Sequence, residues 1–182
     1  MVMKIALVGK MRSGKDTVAK FFIDNEDANQ IAFGDEIKRL ARRLFPHIVA
    51  KGKPRKLYQT LGQEMRKIDP DVWVKALDRT LINSMEMGET NFVISDVRQM
   101  NEYHYLKEMG FTVIKVEADD ELRKERILNS GDVFEPANFY HETETTVEDI
   151  PCDYLVTNNT TLADLYDQIF YIHNELKEGE KV

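Results

Sequence analysis

The stretch KIALVGKMRSGKDT, residues 4–17, decides the fold. Its first five residues, Lys4 to Val8, form a short apolar run that ends at a glycine, which is typical of a buried parallel strand. Residues 16–23 repeat apolar side chains at a spacing of three to four, as one face of a helix requires. The sequence therefore predicts a strand, a glycine-bearing turn and a helix in immediate succession.

The turn matches a nucleotide phosphate-binding loop except at its last position. In such a loop, backbone N–H groups and the positive end of the helix converge on phosphate oxygens. The alternative is a simple strand-to-helix turn with a surface lysine. The residues predicted to bind the nucleotide here are Gly9, Lys10, Arg12, Ser13, Gly14, Lys15, Asp16 and Thr17.

Asp16 stands where a hydroxyl usually holds the magnesium ion of the nucleotide. Its carboxylate is either a ligand of the metal, since hard cations prefer oxygen, or an acid that the dipole favours at the start of a helix. The hydroxyl of Thr17 is a second candidate ligand. Asp96 is the third, because it ends the apolar run that starts at Phe92, as the acidic strand end of P-loop enzymes does.

Arg98 follows Asp96 by two positions and is expected at the same strand end, where ligands bind in parallel sheets. We predict a catalytic role for it and for Lys15, with a surface arginine as the alternative reading of Arg98.

Composition and charge restrict the class of protein. The chain has 182 residues, 42% of them hydrophobic, and a formal net charge of −7, which disfavours a general nucleic-acid binder. The single cysteine, Cys152, cannot form an internal disulfide and suggests a reducing compartment. No signal peptide and no membrane span are found, so we expect a soluble cytoplasmic protein.

Strands alternate with helices along most of the chain, which predicts an α/β fold with five parallel strands and helices on both faces. Consecutive helices interrupt this alternation and predict an inserted helical cap at about residues 35–88. Residues from about 123 to 151 are expected to form a lid region, since 131–151 shows no period. The whole chain, residues 1–182, is interpreted as one domain.

The predicted cap carries a basic segment without acidic residues, from Ile37 to Gln63. Such a segment is either a solvated face or a patch that faces an anion. Arg39, Arg42 and Arg43 lie three and four positions apart, so that at least two share a helix face. Asp35 is the carboxylate placed like a general base. If the group that accepts the phosphoryl is a hydroxyl, Asp35 would deprotonate it; if that group is a phosphate, Asp35 would accept hydrogen bonds from the acceptor. The remaining alternative is that Asp35 merely caps the helix.

Five segments in order along the chain resemble the bacteriophage and bacterial deoxynucleoside monophosphate kinase family: GKMRSGKDTVAKF, AFGDEIKRLARRLF, LYQTLGQEMRKIDPDVWVKAL, ISDVRQMNE, and HETE followed by DYLVTN. The family tolerates aspartate at position 16. The resemblance implies a nucleoside-monophosphate-kinase-like P-loop NTPase fold, ATP and Mg²⁺, and phosphoryl transfer to a deoxynucleoside monophosphate. By position it implies an acceptor site formed by Asp35, Lys38, Arg39, Arg42, Gln59, Gly62, Gln63, Arg66, Trp73, Arg98 and Glu102.

The chain departs from the family pattern in the lid. Related kinases close an arginine-bearing lid over the phosphates, but residues 131–151 hold no lysine or arginine. A transition-state arginine is therefore expected from Arg126, with Arg123 at the ATP; the alternative for both is a solvated helix charge.

Two rival functions stay open at this point. One is a kinase of another small phosphorylated metabolite, of the phosphomevalonate or dephospho-coenzyme A type. The other is a non-catalytic nucleotide-binding sensor. In the leading reading the partners are small-molecule nucleotides, without nucleic acid or membrane, and a homodimer remains open.

Overall fold

The structure is a computed structural model that describes residues 2–52, 54–130 and 146–179. Residues 131–145, the greater part of the predicted lid, lie outside the described residues. The strands are β1 Lys4–Val8, β2 Asn29–Ile31, β3 Phe92–Val97, β4 Thr112–Glu117 and β5 Tyr154–Thr157. The helices are α1 Lys15–Glu26, α2 Phe33–Leu44, α3 Pro46–Val49, α4 Arg55–Ile68, α5 Val72–Glu86, α6 Met100–Glu108, α7 Asp120–Asn129 and α8 Leu162–Gly179, with a 3₁₀ turn at Thr146–Glu148.

The five strands form one sheet in the order β2-β3-β1-β4-β5. β1 pairs in parallel with β3 and with β4, and β4 pairs in parallel with β5. The predicted α/β fold with a five-stranded parallel sheet is confirmed. Because β1 is the central strand, the turn that follows it lies in the middle of the carboxyl edge, where ligands bind in such sheets.

Both faces of β1 are covered. Ile5 and Leu7 belong to a cluster that also contains the buried apolar residues of α1 and α8. Ala6 and Val8 point to the opposite face, because side chains alternate along a strand, and they are also fully buried. The α1 residues of that cluster are those that helical spacing predicts for one face: Val18, Ala19 and Phe22.

The described chain divides into two compact units. The first comprises Met1–Gln30 and Thr90–Val182, and the second comprises Ile31–Glu89. In the second unit α2 packs against α4 and α5. The indole of Trp73 is only 2% exposed and donates a hydrogen bond to the carbonyl oxygen of Gly62 at 3.0 Å, which joins α5 to α4.

The two ends of α2 follow from capping and packing. α2 begins at Phe33, so Asp35 lies in its first turn instead of preceding it, and its Oδ2 accepts a hydrogen bond from the Ala32 N–H at 3.0 Å. Pro46 begins the short helix α3, because proline suits the first helical position. Leu44 is 53% exposed, since the last turn of α2 extends beyond the buried Ala41.

A half-buried ion pair joins the end of α1 to α8. The Glu26 side chain, 12% exposed, is bound by Lys177 Nζ at 2.6 Å and by the nearly buried ring of His173 through Nε2. Burial by itself raises the pKa of Glu26, but the hydrogen bonds from Lys177 and His173, together with their charges, outweigh it, so the pKa lies below its ordinary value.

Glu26→Gln is expected to lower the free energy of unfolding at neutral pH by about 1–3 kcal/mol, because the amide loses the charge that both partners bind. The folded-state pKa lies below the ordinary value of 4.5, so the carboxylate stabilises fully above 4.5 and its contribution is lost as the pH falls through the folded pKa. The difference in Tm between wild type and variant should therefore shrink in acid. A pH-independent difference would contradict this account; Asp24→Asn, in the exposed pair with Lys20, is the control that should change Tm little.

Candidate active site

The turn between β1 and α1 has the backbone of a glycine-bearing anion loop. Gly9 has a φ of 150° and Gly14 a φ of 111°, values that side chains other than hydrogen disfavour. Gly14 immediately precedes α1, whose first N–H groups have no partner inside the helix. The turn therefore presents backbone donors and the positive end of the α1 dipole to the same space.

The first glycine allows close packing against β4. A Cβ at Gly9 would lie 2.3 Å from the carbonyl oxygen of Val116 and 2.9 Å from the hydroxyl oxygen of Ser13. Ser13 is fully buried, and its hydroxyl has no hydrogen-bond partner among the described residues. A buried hydroxyl that lacks a partner is costly, so this atom fits a site in which a polar ligand supplies one.

Lys15 lies at the start of α1, and its ammonium group turns back over the loop. Nζ donates to the carbonyl oxygen of Gly9 at 2.7 Å and to that of Lys10 at 2.8 Å. The charge is thus held beside the backbone donors instead of in solvent. An anion bound in the loop would meet the ammonium and the helix end together.

The residues predicted to hold a metal provide oxygen atoms at the same edge of the sheet. Asp16 is exposed, and Thr17 and Asp96 are half-buried. The register pairs Val97 of β3 with Val8 of β1, which brings Asp96 to the strand end where the loop begins. The described residues contain no cluster of three or more His, Cys, Asp or Glu that holds a metal alone. This donor set fits Mg²⁺, which keeps water and phosphate ligands and takes few from the protein.

A cavity of about 480 Å³ adjoins the loop within the first unit. Gly9, Lys10 and Ser13 line it on the loop side, and the remaining lining comes from the ends of β4 and β5, the start of α7 and the 3₁₀ turn. Among the lining residues that were not predicted from the sequence are Lys115 and Glu148. Glu148 pairs with Lys10, and its carbonyl oxygen accepts a hydrogen bond from Lys115 Nζ at 2.9 Å.

Arg98 and Glu102 lie together after β3. The Glu102 side chain is buried, and its Oε2 accepts hydrogen bonds from the backbone N–H of Arg98 at 2.8 Å and of Gln99 at 3.1 Å. The carbonyl oxygen of Arg98 accepts a hydrogen bond from the Thr146 hydroxyl at 3.0 Å. Glu102 thereby fixes the entry to α6, and a direct contact with the acceptor stays a prediction for both residues.

Arg123 and Arg126 of α7 are directed at the loop backbone. Arg123 is 1% exposed, so a solvated surface charge is excluded for it. Its Nε donates to the Met11 carbonyl oxygen at 2.8 Å, and Nη1 pairs with Asp120 at 2.6 Å. Arg126 donates to the Arg12 carbonyl oxygen at 3.3 Å and to that of Asn158 at 2.8 Å. Their predicted contacts with ATP and with the transferred group stay predictions.

The second unit contains most of the residues predicted for the acceptor. Lys38 pairs with Asp35 at 2.9 Å, and Arg39 pairs with Glu36 at 2.6 Å, both along exposed turns of α2. Arg42 is exposed one turn further along. Both oxygens of Asp35 thus have partners inside α2, one from Lys38 and the other from the Ala32 N–H.

The α4 and α5 residues of the predicted acceptor site differ in burial. Gln59, Gln63 and Arg66 are half-buried on α4, whereas Gly62 is buried. A Cβ at Gly62 would lie 3.4 Å from Ile37 and 3.5 Å from Arg66, which is ordinary van der Waals contact, so the packing of α4 against α2 does not depend on a glycine here. Trp73 has a packing role in the structure, because its ring is covered, and a contact with the acceptor stays a prediction.

A second cavity, of about 410 Å³, lies between α2 and α5 of this unit. Asp35 and Arg39 line it from α2, and Thr80 and Asn83 line it from α5. Both acidic and basic side chains line this cavity, so its charge does not favour an anionic ligand.

Asn158 is a further candidate functional residue that was not predicted from the sequence. It follows the last strand directly, and its Nδ2 donates to the Ser13 carbonyl oxygen at 2.8 Å. A polar side chain at the carboxyl end of a parallel strand was the available signal.

Comparison with known proteins extends these observations. The family model described as "Deoxynucleotide monophosphate kinase" matches residues 47–169. An Acanthamoeba polyphaga mimivirus protein named "Putative deoxynucleotide monophosphate kinase" is 25% identical over 91% of this chain and 93% of its own length.

Solved structures share the fold at lower identity. A gluconokinase from Sinorhizobium meliloti superposes with a TM-score of 0.62 at 16% identity, covering 98% of this chain and 95% of its own. Dephospho-CoA kinase from Campylobacter jejuni gives a TM-score of 0.51 at 18% identity, covering 97% and 98%. At these identities the likeness concerns the fold alone. Within the described residues, no helix is both long and apolar enough to cross a membrane.

Proposed function

The chain belongs to the deoxynucleotide monophosphate kinase family, and we propose that this kinase transfers the γ-phosphoryl group of ATP to the phosphate of a deoxynucleoside monophosphate. An acceptor phosphate oxygen forms a bond to the γ-phosphorus while the bond to the β-phosphate oxygen breaks, and ADP leaves with that electron pair. The acceptor oxygen is already ionised, so the step needs no strong general base. Positioning and neutralisation of charge supply the catalysis.

The geometry of the loop is the observation that carries the proposal. Lys15 and the start of α1 meet over a turn whose two glycines have positive φ. This loop lies before residue 47 and therefore outside the region that the family model matches, so it supports ATP independently. The adjoining cavity of about 480 Å³ offers room for the remainder of the nucleotide.

Asp16, Thr17 and Asp96 would hold Mg²⁺ in this proposal. When bound, the ion would neutralise charge on the phosphates. The chain's own contribution is to offer oxygen donors at the end of β3 and at the start of α1, while Lys15 carries the fixed positive charge. These roles rest on the donor types and on the register of β1 with β3.

The second unit is the proposed acceptor-binding part. The family match from 47 to 169 includes α4 and α5, and thus Gln59, Gln63 and Arg66. Exposed arginines on α2 provide the bidentate donors that suit a phosphate. With Asp35 already bonded inside α2, we propose that it orients Lys38 and accepts hydrogen bonds from the acceptor, without acting as a base.

Arg42→Ala is expected to raise the KM for the acceptor by about 10-fold or more, because one charge-assisted contact with phosphate is lost. The KM for ATP should stay unchanged, since ATP is proposed to bind the first unit. Lys67→Ala removes another exposed cation of the same unit, one that pairs with Glu64, and serves as the control. Steady-state rates with each substrate varied in turn would check this; equal effects of both variants would argue against a phosphate contact at Arg42.

A panel of acceptors tests the substrate. ADP release should depend on a deoxynucleoside monophosphate and should be slow with phosphomevalonate or dephospho-coenzyme A. Turnover with either metabolite alone would overturn the proposed acceptor and leave the kinase class intact. ATP binding without turnover on any acceptor would favour a nucleotide sensor.

A further inference from the structure

Side chains from α7 and from the end of β5 hold the backbone of the loop between β1 and α1. Three consecutive carbonyl oxygens of the loop each accept a hydrogen bond from a different side chain. Arg123 Nε donates to Met11 at 2.8 Å, Arg126 Nη1 donates to Arg12 at 3.3 Å, and Asn158 Nδ2 donates to Ser13 at 2.8 Å. These contacts join segments more than a hundred residues apart in the sequence.

The orientation of the Asn158 amide follows from Arg126. Arg126 Nη2 donates to the backbone oxygen of Asn158 at 2.8 Å and lies 3.3 Å from its Oδ1. A guanidinium group has donors only, so it selects the orientation in which Oδ1 faces it and the NH₂ group faces Ser13. The backbone N–H of Asn158 donates to the carbonyl oxygen of Glu117 at 2.8 Å, which fixes the residue to the end of β4.

The amide lies directly against the second glycine of the loop. A Cβ at Gly14 would lie 2.2 Å from Asn158 Nδ2 and 3.3 Å from Cγ. Gly14 is thus required for two reasons, its φ of 111° and the space that Asn158 occupies. The contact is made where the loop becomes α1.

We propose that Asn158, oriented by Arg126, is a positioning residue that aims the Gly14 N–H at the phosphates of ATP. The carbonyl of Ser13 and the N–H of Gly14 belong to one planar trans peptide and point in opposite directions. Holding the Ser13 oxygen on the Asn158 side therefore fixes the Gly14 N–H on the other side. The inference rests on the proposed function only in placing ATP in the loop.

Direct ATP binding tests the proposal. Asn158→Ala should raise the Kd for ATP by about 10- to 100-fold, measured by calorimetry with Mg²⁺ and without acceptor, because small displacements of a binding group cost this much. Asn158→Leu fills nearly the same space without the hydrogen-bond donor and should weaken ATP binding by the same factor. At saturating ATP, the KM for the acceptor should stay within about twofold of wild type for both variants.

Asn91→Ala is the matched control. The Asn91 amide also bridges backbone groups of the first unit: its Oδ1 accepts from the Met3 N–H at 2.8 Å, and its Nδ2 donates to the Glu26 carbonyl oxygen at 2.6 Å. It precedes β3, so it lies at the edge of the sheet opposite the loop. This variant should lower Tm yet bind ATP as wild type does. Wild-type affinity in both Asn158 variants, or equal weakening in Asn91→Ala, would overturn the proposal.

A double-mutant cycle tests the coupling to Arg126. Arg126→Ala should also raise the Kd for ATP. In the double variant with Asn158→Ala, the loss of binding free energy should be smaller than the sum of the two single losses, since both residues act on one peptide plane. Full additivity would overturn the role given to Arg126. If wild type binds ATP but phosphorylates no deoxynucleoside monophosphate, the proposed function fails while the binding results still decide the role of Asn158.

Discussion

Lys15→Ala is expected to lower kcat by about 10²- to 10³-fold, the cost of removing one preorganised charge from a site where negative charge is transferred. The ammonium already lies over the loop, bonded to the carbonyl oxygens of Gly9 and Lys10 at 2.7 and 2.8 Å. An anion in the loop therefore meets a charge that needs little reorganisation. Initial rates at saturating ATP and acceptor provide the measurement.

The fold of this variant should persist, since Lys15 contributes a polar contact at the rim of the sheet and no core packing. Lys20→Ala is the matched control on the same helix, because Lys20 pairs with Asp24 in solvent and should leave the rate unchanged. A near-normal kcat for Lys15→Ala, with Tm and circular dichroism unaltered, would remove the loop from the mechanism.

Gly9→Ala is expected to lower the free energy of unfolding by about 2–5 kcal/mol, which combines overpacking with an unfavourable φ. The added methyl group would lie 2.3 Å from the Val116 carbonyl oxygen, and this backbone atom can move only if β4 moves. Because β4 pairs with both β1 and β5, the strain should spread through the centre of the sheet. Chemical denaturation followed by circular dichroism would measure it.

Gly110→Ala separates the two causes. Gly110 also has a positive φ, of 79°, but nothing lies within 4 Å of the position of an added Cβ. It should therefore show only the cost of the backbone conformation, about 1–2 kcal/mol. If both variants lose the same stability, the close approach of Gly9 to β4 does not limit the fold.

Local signals were sufficient for the elements that carry strong periodicity. The apolar run before Gly9 and the spacing of Val18 and Phe22 fixed β1 and α1, because a strand and a helix repeat with different periods. Boundaries were less well determined: α2 begins two residues before Asp35, since the Asp35 side chain reaches back to the Ala32 N–H. Short α3 has too few residues for a period to be visible.

In the candidate site, too, residues close together in the sequence could be predicted, whereas residues that only folding brings together could not. A loop of successive residues can be recognised from spacing, so its glycines and Lys15 were predicted. Glu148, at the Lys10 ammonium, lies far from it in the sequence and has no motif of its own. Likewise, Glu102 was assigned from position in a motif, whereas its burial and its bonds to two backbone N–H groups depend on how α6 follows β3.

The sequence by itself determined a strand-loop-helix unit that suits phosphate, because backbone conformation at two glycines and one lysine is encoded within nine residues. Only the tertiary structure decided what holds that unit in place. Parallel pairing brings the ends of β1, β4 and β5 to one edge, and there Arg126 and Asn158 reach carbonyl oxygens of the loop. Hydrogen bonds act over about 3 Å, so a contact between residues 13 and 158 exists only after the chain has folded.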